Sequence, residues 1–141
     1  MNAPLYTTEI LRLAASLAAP HELEREDGKS AVRSPTCGSR MQTIVQVNSD
    51  GRVKALSQTV LACAFGQASA ALLEQSALGR SRDELQMAVM ELQEWFDGAD
   101  AVPAWPGIAA LKPARSRKSR HGAILLPFRA LLAAMDAAAS G

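Results

Sequence analysis

Cys37 and Cys63 are the two cysteines of this 141-residue chain, and their settings differ. Cys37 lies in Pro35-Thr36-Cys37-Gly38, a turn sequence directly ahead of an alternating apolar run. A cysteine kept for packing behaves as a small hydrophobe and is expected inside an apolar segment. One kept for chemistry needs access and an electropositive setting. Gly38 lets the backbone turn beside Cys37 and leaves its thiol uncrowded. Cys63 falls where a strand pattern passes into a helical one, at a helix N-terminus whose unpaired N–H groups and dipole favour an anion. Two thiols at one end of a sheet, one with a helix behind it, point to metal or sulfur chemistry. Two cysteines alone also fit a loop cysteine and a buried one with no shared role.

The elements that must position them are legible. Ile10, Leu11, Leu13, Ala14 and Leu17 form an apolar face, so Thr7 or Thr8 to Ala19 reads as a helix with a threonine cap, stopped by Pro20. A polar, turn-like stretch follows and leads into a short strand around Ala31 to Ser34. Arg40 to Val47 alternates, Asn48-Ser49-Asp50-Gly51 is a hairpin turn, and Arg52 to Leu61 is the returning strand. The hairpin folds Cys37 and Cys63 toward the same end of the sheet. From Ala64 the composition turns alanine-rich and helical, ending at Gly79. Ser81 with Glu84 makes a capping box for a helix running to Phe96. The next nineteen residues, Asp97 to Arg115, read as a loop punctuated by three prolines. A final helix is expected from near Ser119 to about Ala138, kinked at Pro127 or starting later. The fold class is α+β: a small antiparallel three-stranded sheet with helices packed on one face, residues 1–141 forming a single domain.

Composition narrows the function. Nearly half the residues are apolar, which excludes global disorder, and a net charge of +1 gives no global pull toward nucleic acid or membrane. Two cysteines make no disulfide framework, so a cytoplasmic protein is expected. Glu9 and Arg12 interrupt the N-terminal apolar stretch, arguing against a signal peptide, and no segment was expected to reach the ~20 apolar residues of a membrane span. Lys112, Arg115, Arg117, Lys118 and Arg120 form a basic segment that reads as a solvated loop capping the last helix, or as a docking patch for an acidic partner. No aromatic residues interleave these charges, so nucleic acid is not the expected partner. Trp95, Phe96 and Trp105 read as core or loop anchors.

Several stretches, in order and at matching separations, resemble the U-type iron–sulfur scaffolds, the family of IscU, SufU and the NifU N-terminal domain. They are "LYTTEILRLA", "SPTCGSR" with its hairpin, "ACAFGQASAALL", "LGRSRDEL" and "RHGAIL". The resemblance implies assembly of a [2Fe–2S] cluster on three cysteines and an aspartate. Sulfur is delivered as persulfide by a cysteine desulfurase, and recipient apo-proteins take the product. Carried over by position, the first two cysteines are Cys37 and Cys63. The aspartate position holds Ser39, and the third cysteine position holds Gly122, preceded by His121. The resemblance therefore implies sulfur or persulfide on Cys37 and Cys63. It also implies iron or zinc on Cys37, Cys63 and His121, with His121 as auxiliary ligand or proton handler.

Two family ligands are replaced, and this shapes the expectations. Clusters and closed zinc sites take four side-chain ligands. Serine is a poor ligand near neutral pH and glycine offers no side chain. A monomer of this chain is therefore not expected to hold a stable cluster, and a homo-oligomer or a small thiol could complete one. A weaker resemblance to SufE-type sulfur acceptors, carried by "KSRHGAILLPFRAL", implies a single persulfide-accepting thiol at Cys37. A third reading is a degenerate scaffold that binds the assembly machinery without cargo. All three are carriers or binding modules rather than enzymes.

Overall fold

The structure is a computed structural model that describes residues 6–35 and 38–140. Its order is α1 (Thr8–Ser16), β1 (Gly28–Arg33), β2 (Arg40–Val47), β3 (Val53–Leu61), α2 (Ala64–Ser76), α3 (Arg82–Phe96), a 3₁₀ helix (Ile108–Ser116) and α4 (Lys118–Ser140). The three strands form one antiparallel sheet in the order β1-β2-β3.

Register decides which side chains are buried. Residues paired across antiparallel strands share a face. Ser30, Thr43 and Gln58 align, as do Val32, Met41 and Val60, and Gly28, Val45 and Leu56. This face carries the apolar strand residues and is covered by α2 and α4. A shift of register between Gln46 and Val47 keeps Val47 and Val53 on the covered side.

Helix α4 lies very close to β1. A Cβ on Gly28 would collide with the carbonyl oxygen of Ala134 and stand 2.8 Å from the Ala138 nitrogen. Ser30 Oγ donates to the Ala130 carbonyl at 2.6 Å, and Ala130 is itself fully buried. Ser69 Oγ of α2 donates to the Ile124 carbonyl at 2.6 Å. Small residues on the sheet thus admit the helix backbone, and two hydroxyls dock it by hydrogen bonds. By length and composition α4 is apolar enough to cross a membrane, more than the sequence was expected to provide. In this fold it packs as a core helix, with Ala123 to Phe128 buried between the sheet and the other helices.

The outer face of the sheet is half covered. Beyond α1 the chain crosses it as an extended segment: the His21 N–H donates to Ser57 Oγ at 2.9 Å, and Arg25 Nη2 donates to the Val47 carbonyl at 2.9 Å. Asp27 accepts the Val47 N–H at 2.8 Å, and the Arg25 guanidinium holds its carboxyl below the usual range. Ser57 and Gln46 are buried beneath this strap. The half nearer the β1–β2 loop stays open.

Local signals set the boundaries where the chemistry is local. Thr7 Oγ1 accepts the Ile10 N–H, and the Ser81–Glu84 capping box forms in full. Four expectations need correction. Helix α1 ends at Ser16, three residues short of Ala19, where Leu17 turns extended and the Ala18 N–H donates to the Glu74 carboxylate. Strand β1 begins at Gly28 rather than Ala31, because its pairing with β2 extends to Val45. The last eight residues of the expected loop belong to the 3₁₀ helix Ile108–Ser116, whose Ile108, Leu111 and Ala114 are buried. Helix α4 also starts at Lys118 and continues through Pro127.

Gly28→Ala is expected to destabilise the protein by about 1–3 kcal/mol, the range for overpacking a close contact. The urea midpoint would fall with an unchanged m-value. A neutral result would mean that α4 does not need its approach to β1.

Candidate functional site

Loop 34–39 is built from the sheet outward. Arg33 pairs with Arg40 in register, and the Ser34 N–H donates to the Ser39 carbonyl at 2.7 Å. The Gly38 N–H donates to the Ser34 carbonyl at 3.2 Å, and Gly38 has φ +73°, a left-handed conformation that favours glycine. Ser34 and Ser39 are both buried. Cys37 lies outside the described residues.

Cys63 is the N-cap of α2, as the spacing predicts. It follows Leu61, which pairs with Arg40, so it leaves the sheet at the edge where loop 34–39 is anchored. Its side chain makes no capping hydrogen bond and is half-buried against the core. Its carbonyl accepts the Gln67 N–H at 3.0 Å, so the backbone is committed to the helix while the sulfur is not.

The start of α4 meets the same corner. A Cβ on Gly66, in the first turn of α2, would lie 3.5 Å from Ala123 Cβ. Gly122 immediately precedes Ala123 and is half-buried. Met41, at the start of β2, packs against Leu126 and Ala130 of α4. Loop 34–39, Cys63 and the His121–Gly122 pair are therefore carried by elements that meet at one end of the sheet.

His121 has more local partners than the sequence indicated. Its Nε2 lies 2.9 Å from the Ala114 carbonyl oxygen and 3.1 Å from that of Arg115. Both partners only accept, so Nε2 carries the hydrogen and Nδ1 is the nitrogen left for a metal or a proton. The ring stacks on Phe96, with centroids 4.0 Å apart and planes 8° from parallel. This stack escapes sequence reading because it joins positions 25 apart on two different helices.

Arg115 is likewise structural. It donates to the Trp95 and Ala99 carbonyls at 2.8 Å and lies over the Trp95 ring at 5.2 Å. Lys112, Arg117 and Lys118 are exposed, Arg120 is half-buried, and none has an ion-pair partner among the described residues. Trp95 and Trp105 are buried anchors, and Trp105 Nε1 donates to the Leu72 carbonyl at 2.9 Å. Among the described residues no three His, Cys, Asp or Glu side chains cluster as metal ligands.

No protein-family model and no curated protein sequence matches this chain. Solved structures do. The N-terminal part of a NifU-like nitrogen-fixation protein from Brucella abortus is 27% identical, with a TM-score of 0.88 over 96% of this chain and 95% of that one. The chain resembles the U-type iron–sulfur scaffold family in fold and in sequence. FiSufU from Fervidobacterium islandicum AW-1, named as an iron–sulfur cluster assembly scaffold of the SUF system, is 16% identical. Its TM-score is 0.81 over 93% of this chain and 96% of that one, a likeness of fold. The U-type architecture is an α+β fold in which an antiparallel three-stranded sheet carries its helices as this chain does.

His121→Ala removes two hydrogen-bond contacts and a ring stack from a half-buried position. It is expected to cost about 1–3 kcal/mol of stability in metal-free protein. Urea denaturation would show it. An unchanged midpoint would return His121 to a purely ligand-like role.

Proposed function

We propose that this chain is a carrier in iron–sulfur cluster assembly. In this reading residues 1–141 act as one NifU N-terminal-like domain in the cytoplasm, and Cys37 and Cys63 take sulfur or iron and hand it on. The observation that carries it is the meeting of loop 34–39, the Cys63 cap of α2 and the start of α4 at one end of the sheet, in a fold 27% identical to a NifU-like domain. The protein binds and delivers its cargo, and no turnover is ascribed to it.

Ser39 and Gly122 favour persulfide handling over stable cluster storage. Holding a cluster requires four good ligands, while accepting sulfur requires one accessible thiolate. The Cys37 thiolate attacks the outer sulfur of a desulfurase persulfide. The donor's S–S bond breaks, its cysteine leaves as thiolate, and Cys37 becomes the persulfide. No net oxidation occurs. Cys63 is the second thiol, through which sulfur or a bound iron or zinc ion is shared. His121 Nδ1 is the auxiliary ligand of that metal-bound state.

The test uses a cysteine desulfurase with cysteine as sulfur source, read by mass spectrometry. Wild type should gain about 32 Da on Cys37, one sulfur atom, lost on reduction. Cys37→Ser should lose the adduct and Cys63→Ser should keep it. Anaerobic reconstitution should give little stable cluster on the monomer. A robust stoichiometric cluster would overturn the preference for sulfur transfer. Failure to accept sulfur, with ordinary thiol reactivity at both cysteines, would favour a cargo-free interaction module.

A further inference from the structure

The open half of the sheet's outer face carries an unusual pair. Arg33 and Arg40 are directly opposite in register, on the same face, at the base of the loop that contains Cys37. Like charges directly opposed across a sheet are destabilising. Both residues are exposed, and neither forms an ion pair with any described carboxylate. Beside them lie Ala31, Gln42, Thr59 and Leu61, which with the arginines line a shallow groove of about 450 Å³. Leu61 is 55% exposed, a large apolar side chain turned to solvent two residues before Cys63. The strap over residues such as Ser57 stops short of this half.

From these observations we infer that the groove is the seat of the sulfur-donating desulfurase, which presents carboxylates to Arg33 and Arg40 and an apolar side chain to Leu61. The inference rests on the carrier function proposed above. Sulfur passes by direct attack of one thiolate on another cysteine's persulfide, so the donor must sit against a surface continuous with loop 34–39. The groove is such a surface. An acidic partner relieves the repulsion between the two arginines, which the monomer leaves uncompensated. Charge pairs of this kind steer association and fix orientation. Arg117, Lys118 and Arg120, at the start of α4, do not line this groove.

The experiment measures binding of the purified cysteine desulfurase of the same organism by calorimetry at two salt concentrations. Arg33→Gln/Arg40→Gln should weaken binding by roughly tenfold and flatten its salt dependence. The same variant should melt at or above the wild-type temperature, because the like-charge opposition is gone. Leu61→Ser should also weaken binding, whereas Arg117→Gln/Lys118→Gln should bind as wild type. Leu61→Ser should take sulfur from inorganic polysulfide at the wild-type rate, since it alters docking and not the charge around the thiol. If the arginine and Leu61 variants bind the desulfurase as wild type does, the groove is not its seat, although the carrier function stands. Loss carried by Arg117 and Lys118 instead would move the seat to α4. Tighter binding of a single-stranded RNA than of the enzyme through Arg33 and Arg40 would also overturn the inference. If wild type neither binds the enzyme nor accepts its sulfur, the carrier function falls and the docking inference falls with it.

Discussion

The backbone of α4 rests almost directly on β1, and most of the architecture follows from that contact. Gly28 leaves room for the Ala134 carbonyl, and Ser30 donates to the carbonyl of Ala130 one turn earlier. With α4 fixed to the sheet along this line, its N-terminal half reaches Met41 at the start of β2. Ser69 holds α2 to the Ile124 carbonyl. The two helices then begin side by side, close enough that Gly66 has no room for a side chain beside Ala62 and Ala123. The corner containing Cys63 and Gly122 is a product of these small residues as much as of its own.

That dependence separates what holds the corner together from what acts there. His121 and Arg115 both occur in the basic stretch that suggested a partner-binding patch. Both donate to backbone carbonyls, tying the 3₁₀ helix and the end of α3 to the start of α4. A buried carbonyl left without a donor is costly, so these contacts stabilise the junction. Among the described residues of that stretch, Lys112, Arg117, Lys118 and Arg120 make no such contact, and neither do Arg33 and Arg40 on the sheet.

How much of this was legible depended on the range of the interactions. The Asn48–Gly51 turn, the Ser81–Glu84 box and the position of Cys63 at the head of α2 are set by neighbours within a few residues, and they were readable. The first turn of β1 was not. Gly28, Lys29 and Ser30 look like loop residues, and only pairing with β2 and cover from α4 make them a strand. The 3₁₀ helix was hidden by Pro103, Pro106 and Pro113, because its stability comes from burying Ile108, Leu111 and Ala114. At the site the two thiols could be picked out by type and setting, and His121 only through the family resemblance. The ring of Phe96 against His121 and the opposition of Arg33 to Arg40 could not, since each depends on a register or a helix crossing. An arginine on either side of the Cys37 turn was the available signal for the second, once strand pairing was drawn.

The placement of the two tryptophans has an optical consequence. Trp95 is buried with the Arg115 guanidinium over its ring, and Phe96, stacked on it, carries His121 on its other contact. Trp105 is packed edge-on against Phe128, with Arg80 over its ring. One indole thus adjoins the start of α4, while the other reports from beneath Arg80, close to the turn between α2 and α3. Replacing Trp105 by phenylalanine would leave a single tryptophan, stacked on the Phe96 that carries His121 at the start of α4. The fold carries its own fluorophore for following events there in real time, with no label attached to either thiol.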